Sequence, residues 1–482
     1  MNFRLIANVI SIALVIISCF MVLPIIISFI YKQSDTIPLA VSFFITFVAG
    51  ASIYLITRKH KMEEIRHRDA FIIVTFTWIT VSFFGSIPFM LTGTLHSFTD
   101  AFFESMAGFT TTGASVLTDI EASPKGLLFW RSMTQWIGGM GIIVFALAIL
   151  PLLGTGGMQL FKAEVPEISV DKLRPRIIDT AKSLWFIYVT LTAADALLLT
   201  ASGMNVYDAL CHAFTTMATG GFSTKNDSIT HFQNPSIEYI TSIFMFCAGI
   251  NYSLYFYVFK GKLSNLWKSN EFRFYLSVVA IATLLITINT WIESFKSLFD
   301  SFRYSLFQVI SLMTTTGYTT ADYELWSPFA QTTLIVIMFF GGMIGSTGGG
   351  MKQVRILLML KQGYREIYQL IHPRAVTSVK LDEKFLDKEI LGSIWGLVFL
   401  FLGVCVIATI AIAATGIDII SSVTTVISAT CNVGPAFGIA GPTDNYASIP
   451  SAGKWILIFC MLTGRLEVYT VLILFVPRFW RK

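Results

Sequence analysis

Thr110-Thr111-Thr112-Gly113 closes a short apolar segment, and the chain repeats this arrangement three more times. The segments are about 12 to 14 residues long, too short to cross a bilayer and suited to helices that enter the membrane and turn back. They cover Asp100–Thr112, Asp208–Thr219, Tyr304–Thr316 and Ser421–Val433, and they end in the motifs Thr110–Gly113, Met217–Gly220, Thr314–Gly317 and Cys431–Gly434. A motif that recurs four times in the same context indicates an internal fourfold repeat.

Long apolar runs flank each repeat. Of the 482 residues, 54% are hydrophobic and only 13% are charged, and the mean hydropathy is +0.69. This composition excludes an ordinary soluble enzyme, a disordered chain and a disulfide-stabilised scaffold, and it indicates a protein that crosses the membrane many times. Ten runs are long enough to be spans: Leu5–Ile30, Pro38–Ile56, Ala70–Leu91, Leu127–Leu150, Leu184–Ala201, Ile237–Phe259, Phe274–Trp291, Pro328–Gly350, Ile390–Ala414 and Lys454–Val476.

Basic residues are distributed unequally between the two sides of these spans. With the N-terminus inside, 26 of the 34 lysine and arginine residues fall in inner loops and tails. Inner loops of membrane proteins carry such an excess, so we expect both termini in the cytoplasm. The inner clusters would lie against anionic lipids, and the net charge of +5 requires no nucleic acid as a partner. The inner lysines include Lys59, Lys61, Lys162, Lys172 and Lys260.

Spans and short segments together predict an all-α integral membrane fold. It has ten transmembrane helices and four re-entrant pore helices. The helices form four fused M1-P-M2 units (helix, pore helix, helix) with pseudo-fourfold symmetry, behind two extra N-terminal helices. The expected boundaries are 1–68 for the two extra helices and 69–180, 181–272, 273–388 and 389–482 for the four units.

The loops after the pore helices are suited to coordinate a cation. Four loops around one axis can replace the hydration shell of a potassium ion with rings of backbone carbonyls. Glycine tolerates the backbone torsions that this requires, and the carbonyl end of each pore helix adds a favourable dipole. The predicted potassium-binding filter consists of Thr111, Thr112, Gly113, Ala218, Thr219, Gly220, Thr315, Thr316, Gly317, Asn432, Val433 and Gly434.

An acidic residue stands at or before the start of each pore segment. The four are Asp100, Asp208, Asp300 and Asp418. We expect them to cap the helix N-termini, where carboxylates accept hydrogen bonds from free backbone N–H groups. Attraction of cations to the outer mouth is an additional role that the sequence leaves open.

These motifs resemble those of Trk-type potassium-uptake subunits of the Trk/Ktr/HKT superfamily, single chains of four fused units similar to potassium-channel subunits. The similarity covers essentially the whole chain, and the two extra helices favour the Trk type over the shorter Ktr type. It is carried by Thr110–Ser115, Ala218–Ser223, Thr314–Thr319, Asn432–Pro435, Gly345–Lys352, His372–Ala375 and Gly464–Glu467. The resemblance implies a homodimer in the bacterial inner membrane that transports K⁺. It also implies a cytosolic regulatory partner of the TrkA type, and it places the nucleotide site on that partner.

The chain departs from tetrameric potassium channels at the outer end of the filter. Those channels carry a second glycine in every loop, whereas the residues after the shared glycine are here Ala114, Gly221, Tyr318 and Pro435. We therefore expect fewer well-defined ion sites and weaker discrimination against sodium. Within the superfamily, a serine in place of the first-unit glycine accompanies sodium transport, so Gly113 favours potassium.

The eighth span alone looks interrupted, by the glycine-rich run 341–350. So many glycines make a continuous helix costly, at up to about 1 kcal/mol each. A phosphate-binding loop is disfavoured because Met351 and Lys352 follow the run where Lys-Ser or Lys-Thr should stand, and no strand precedes it. Close helix packing through small residues remains one explanation. The other, which the family resemblance supports, is an unwound gate beneath the filter formed by Gly345, Ser346, Thr347, Gly348, Gly349 and Gly350.

Arg465 lies within the tenth predicted span. A charge there costs at least about 2.5 kcal/mol, so its side chain should face a partner, water or the pore. Two interpretations remain open: a buried ion pair with Glu467 or another acid, or a cationic barrier that holds the closed gate. Glu104 and Asp195 are further acids within the membrane, and either could pair with Arg131.

The sequence thus favours a potassium pathway that is gated from the cytoplasm. The alternative is a sodium-permeable or a proton- or sodium-coupled cation symporter, and the sequence does not decide between passive and coupled transport. A membrane enzyme is disfavoured because no cluster of His, Cys or carboxylate residues marks a catalytic site.

Overall fold

The computed structural model describes residues 1–58, 66–148, 173–259, 261–295, 297–375, 377–382 and 384–481. Its helices are α1 (Phe3–Ile30), α2 (Thr36–Thr57), α3 (His67–Leu91), α4 (Phe98–Phe109), α5 (Lys125–Ala148), α6 (Leu173–Ala201), α7 (Val206–Met217), α8 (Pro235–Ala248), α9 (Tyr252–Phe259), α10 (Ser264–Lys268), α11 (Asn270–Glu293), α12 (Leu298–Met313), α13 (Pro328–Phe339), α14 (Gln353–Ile371), α15 (Lys388–Ala413), α16 (Ile419–Cys431), α17 (Ser451–Arg465), α18 (Tyr469–Leu472) and α19 (Pro477–Trp480). A small antiparallel hairpin pairs β1 (Lys380–Leu381) with β2 (Lys384–Phe385). The predicted inner residues Lys59, Lys61, Lys162, Lys172 and Lys260 lie outside the described residues.

Six helices of the described chain are long and apolar enough to cross a membrane, or up to eight if each of two bent helix pairs counts as one span. The six are Phe3–Ile30, Thr36–Thr57, Arg68–Leu91, Thr180–Ala201, Asn270–Glu293 and Lys388–Ala413. In the position of the fourth predicted span, α5 is helical as far as Ala148. In the position of the eighth, α13 ends at Phe339, before the glycine-rich run.

Two spans that the sequence predicts as continuous are broken. The axes of α8 and α9 differ by 101°, and the chain turns by 114° after α17. At the first break Asn251 accepts a hydrogen bond from the backbone N–H of Ser253 at 2.8 Å, which caps the next helix. At the second, Glu467 has a φ of +55°, a conformation that ends an α-helix. The expectation that only the eighth span is interrupted is therefore wrong.

The four short helices α4, α7, α12 and α16 occupy the predicted pore segments. Their N-cap residues are Ser97, Asn205, Ser297 and Asp418. The predicted capping role is thus wrong for Asp100, Asp208 and Asp300, which lie in the first turn, three residues after the cap. At that position a carboxylate still interacts favourably with the helix dipole.

Packing between neighbouring units follows a closed cycle. The helix that follows each of the four short helices packs against the next short helix along the chain: α5 on α7, α8 on α12, α13 on α16, and α17 back on α4. The last of these contacts includes an ion pair at 2.6 Å between Lys454 and Asp100. The C-terminal unit therefore closes a ring with the first, and the loops after the pore helices lie on the inside of that ring.

The two N-terminal helices lie beside the first unit. α1 packs against α2, α3 and α5. Between α1 and α2, the buried carboxylate of Asp35 accepts a hydrogen bond at 2.8 Å from the backbone N–H of Leu127 in α5. This bond satisfies one of the free N–H groups at the start of α5 and fixes the position of the two extra helices against the ring.

Candidate functional site

The loops after α4, α7, α12 and α16, here called loops one to four, share one backbone conformation. In each loop a left-handed residue is followed, two positions later, by a left-handed glycine. The left-handed pairs are Thr111 (φ +53°) and Gly113 (+79°), Thr219 (+53°) and Gly221 (+77°), Thr315 (+62°) and Gly317 (+81°), and Asn432 (+57°) and Gly434 (+102°). Left-handed backbone is costly for residues other than glycine, so its recurrence in all four loops indicates a common constraint.

This pattern corrects the predicted alignment of loop two by one residue. Ala218 is a right-handed C-cap residue with φ −76°, like Thr110 of loop one at −80°. The counterpart of Gly113 is therefore Gly221, whereas the sequence motif had indicated Gly220. Because two glycines stand side by side, the sequence motif alone could not distinguish them. The residue after the shared glycine in loop two is accordingly Phe222.

The four loops contact one another in a closed ring. A Cβ atom added to Gly113 would overlap the carbonyl oxygen of Gly220, and one added to Gly221 would overlap that of Thr316. The same holds for Gly317 against the carbonyl oxygen of Val433, and a Cβ on Gly434 would lie 2.7 Å from that of Thr112. Each loop thus directs one carbonyl oxygen at the glycine of its neighbour. Such a ring of backbone oxygens has the chemistry needed to hold a dehydrated cation.

The side chains behind the ring differ from loop to loop. Gln135 of α5 donates to the carbonyl oxygen of Gly220 at 2.6 Å and accepts from the backbone N–H of Phe222 at 3.0 Å. In loop four, Tyr446 and Ser428 donate to the carbonyl oxygen of Gly434 at 2.6 and 2.8 Å. The four loops share a backbone shape, but their carbonyl groups are not equivalent. Sequence analysis missed Gln135, although a glutamine inside an apolar span is itself a signal of a buried polar contact.

A buried ion pair connects loops one and two. Arg131 contacts Glu104 of α4 at 2.7 Å, and its guanidinium also donates to the carbonyl oxygen of Ser223 at 2.8 Å. Glu104 in turn accepts from the backbone N–H of Val116 at 2.8 Å. Of the two acids that the sequence offered as partners of Arg131, Glu104 is the one that pairs. Asp195 is fully buried, has no ion-pair partner in the described part of the chain, and lies close to the hydroxyl of Thr216.

A cavity of about 90 Å³ lies outside the ring, and Gly113, Gly221, Gly317 and Gly434 all contribute to its lining. Glu324, on the loop after α12, accepts a hydrogen bond from the backbone N–H of Gly438. Partial burial raises the pKa of Glu324 above its ordinary value, and the carboxylates of Asp322 and Asp444 add to the rise. The outer loops therefore present carboxylates near this cavity.

Below the ring, the glycine-rich run is unwound, as the gate hypothesis requires. The chain is not helical between the end of α13 and the start of α14, and Phe340 and Met351 form a parallel bridge across the run. The backbone N–H of Gly349 donates to Thr315 Oγ1 of loop three at 2.7 Å, and Thr347 Oγ1 donates to the carbonyl oxygen of Met217 at 3.0 Å. The predicted gate residues 345–350 thus lie directly against the inner side of loop three and the end of α7.

Arg465, the last residue of α17, contacts this run. Its guanidinium donates to the carbonyl oxygen of Thr347 at 2.8 Å and to that of Gly138 at 3.4 Å. Glu467 pairs instead with Arg355 at 2.7 Å. Within the described residues Arg465 contacts no carboxylate, so the ion-pair interpretation fails for this part of the chain. The contact with Thr347 joins the end of α17 to the glycine-rich run.

The chain matches known transport proteins along its length. The sequence profile of the family described as TrkH, cation transport protein, matches residues 37–482. The chain is 42% identical to the Trk system potassium uptake protein TrkH of Salmonella typhimurium over 486 residues, which cover 100% of each chain. It is 36% identical to the Trk system potassium uptake protein TrkG of Escherichia coli over 462 residues, covering 95% and 94% of the two chains. The crystal structure of the potassium transporter TrkH from Vibrio parahaemolyticus matches with a TM-score of 0.91 at 37% identity and covers 100% of both chains.

Replacement of Arg131 by methionine tests the ion pair between loops one and two. We expect Arg131→Met to lower the free energy of unfolding by about 3–5 kcal/mol, because it leaves Glu104 as a buried charge without its partner. The double variant Glu104→Gln, Arg131→Met removes both charges and should recover most of the loss. Thermal unfolding of the purified protein in detergent measures both variants, and equal losses would contradict the assignment.

Proposed function

Because the chain belongs to the TrkH family of cation transport proteins, we propose that it takes up potassium ions across the bacterial inner membrane. It is a multi-pass membrane protein, and its relatives at 42% and 36% identity are named potassium uptake proteins. The observation that carries the proposal is the closed ring of loop carbonyls. The ring offers backbone oxygen ligands at positions where the neighbouring loops leave no space for a side chain.

The proposed filter uses the corrected alignment. It consists of Thr111–Gly113, Thr219–Gly221, Thr315–Gly317 and Asn432–Gly434, with K⁺ bound by backbone oxygens of these residues. Hydrogen bonds from Gln135 and Tyr446 already occupy two of the carbonyl groups. A cation therefore meets an uneven ring, which supports weaker discrimination between potassium and sodium than in a fourfold-symmetric channel.

The proposed gate is the run 345–350 together with Arg465. The run lies between the filter and α14, and Arg465 holds it through the carbonyl oxygen of Thr347. A fixed positive charge beneath the filter raises the free energy of a cation there. Opening would require the run to move away from loop three, which breaks the hydrogen bond between Gly349 and Thr315.

The amphipathic helix α14 is the proposed docking face for a cytosolic, nucleotide-binding subunit of the TrkA type. Its exposed side includes Leu360, Tyr364 and Leu370 beside the basic residues Lys361 and Arg365. α14 follows the gate directly in sequence, so a partner that moves this helix pulls on the run. We also propose ten spans, cytoplasmic termini, a homodimer, and the boundaries 1–68, 69–180, 181–272, 273–388 and 389–482.

Proton-coupled symport is the second candidate. The observation that favours it is Asp195, a fully buried carboxylate with no ion-pair partner in the described chain. A sodium-permeable pore is a third candidate, and the uneven ring supports it. Among the described residues no feature favours sodium-coupled transport.

The proposed uptake predicts rescue of growth at low potassium in bacteria that lack their own uptake systems, provided that the regulatory subunit is also supplied. Purified protein in liposomes should take up rubidium, which potassium in excess should block and sodium should block less. A pH gradient across the same liposomes should drive uptake only if transport is proton-coupled. Failure of rescue by a chain that is correctly inserted would contradict the proposal.

The corrected alignment predicts a specific effect at loop two. Gly221→Ala should abolish rubidium uptake, because the added Cβ would overlap the carbonyl oxygen of Thr316. Gly203→Ala is the matched control: Gly203 is also left-handed, at φ +101°, but has no atom within 4 Å of an added Cβ. The backbone strain of both variants is similar, at about 1 kcal/mol. Comparable uptake by the two variants would count against the ring.

Arg465→Ala should raise rubidium flux in the absence of the regulatory subunit. The variant removes both the positive charge and the hydrogen bond to Thr347. We expect an increase of about tenfold, which corresponds to about 1.4 kcal/mol of barrier. Arg478→Ala, at an exposed position near the C-terminus, is the control and should leave the flux unchanged. An unchanged flux in Arg465→Ala would refute the gate assignment.

A further inference from the structure

A small cavity lies beneath the glycine-rich run. Its volume is about 40 Å³, and its charged lining residues are Lys352, Arg355, Arg465 and Glu467. A cavity of this size has room for a small ion or a few water molecules.

The charges around the cavity do not balance. Glu467 is paired with Arg355 at 2.7 Å. Lys352 donates to the carbonyl oxygen of Gly348, and Arg465 donates to the carbonyl oxygens of Thr347 and Gly138. In the described residues neither cation has a hydrogen bond or ion pair to a carboxylate.

The nearest further acid does not restore the balance. Glu271, outside the cavity lining, accepts from the backbone N–H groups of Ile344 and Val354 at 2.9 and 3.1 Å. Even if the charge of Glu271 is assigned to Lys352, there are only two carboxylates, Glu271 and Glu467. They face three cations, which are Lys352, Arg355 and Arg465. While Lys352 is protonated, one positive charge therefore remains without a counter-ion on the described part of the chain. Burial, and after it the charge of Arg465, lowers the pKa of Lys352 to about 7, and a bound anion would favour its charged form.

Arg465 also has an unmet donor. Its side chain is buried, with only 3% of the residue exposed, and its Nε atom has no hydrogen-bond partner among the described residues. A buried cation without a counter-ion and a buried donor without an acceptor both cost free energy. A single anion in the adjoining cavity would remove both costs.

We propose that a small monovalent inorganic anion of the chloride class binds in this cavity between Arg465 and Lys352 and stabilises the closed run. The inference deepens the proposed function and rests on the gate described there. Because the imbalance amounts to one positive charge, a monovalent anion matches the site better than phosphate or a nucleotide, which carry more negative charge. The anion weakens the repulsion between Arg465 and a cation below the filter. It also holds together Lys352 and Arg465, the two side chains that donate hydrogen bonds to the run. Because no cation passes while the run is ordered, the second effect determines the flux.

Bromide tests the site directly. Crystals of the full-length chain grown in bromide should show an anomalous scattering peak in the cavity. Lys352→Gln should lose the peak, and Lys361→Gln, which alters a lysine outside the cavity, should retain it. A water molecule without anomalous signal in the unmodified chain would overturn the proposal, and this result does not depend on the folding of any variant.

Rubidium flux tests the effect on closure. In liposomes without the regulatory subunit, flux with chloride on both sides should be about tenfold lower than with gluconate, if chloride stands at ten times its Kd and binds only the closed form. A bromide peak with equal fluxes in the two anions would overturn the stabilising role. Absence of rubidium flux in every anion would contradict the proposed function, whereas the bromide peak would be unaffected.

Discussion

The closeness of four backbone loops is the constraint on which the rest of the structure depends. At Gly113 and Gly221, the space that a side chain would need is filled by a carbonyl oxygen of the neighbouring loop. Such close approach is available only to glycine, and it requires left-handed backbone at those positions. The pore helices fix the loops from behind, the following helices bridge from unit to unit, and the contact of α17 with α4 closes the cycle.

The four loops of the ring share one backbone conformation, but different side chains hold each loop in place. A glutamine holds loop two, a tyrosine and a serine hold loop four, and an ion pair connects loops one and two. In a tetramer of identical chains all four loops must have the same supports. In a single chain each support varies independently, so oxygen ligands can be adjusted one at a time.

Sequence reasoning predicted the features that composition and repetition encode. The four short segments and the long apolar helices follow from apolar length. The glycine content of 341–350 indicated an interruption, and an unwound run was one of the two interpretations that remained open. Features that depend on the conformation of a single residue were not predicted correctly. The helix breaks near Asn251 and Glu467 lie in apolar runs that no periodicity interrupts. The alignment of loop two depends on which of two adjacent glycines is left-handed. The N-cap is the residue whose backbone is still extended where the helix begins. The sequence does not show whether Ser297 or Asp300 has that conformation. Gln135 and Arg465 contact residues that are far away in the sequence. A single sequence does not show which distant segments lie next to each other in the fold.

The ion pair between Lys454 and Asp100 has a consequence for biosynthesis. The first pore helix finds its last neighbour, α17, only after nearly the whole chain has left the ribosome. Until then loop one has a partner on one side alone, and the polar groups of its backbone face an incomplete assembly within the bilayer. The ring therefore closes late in the synthesis of the chain.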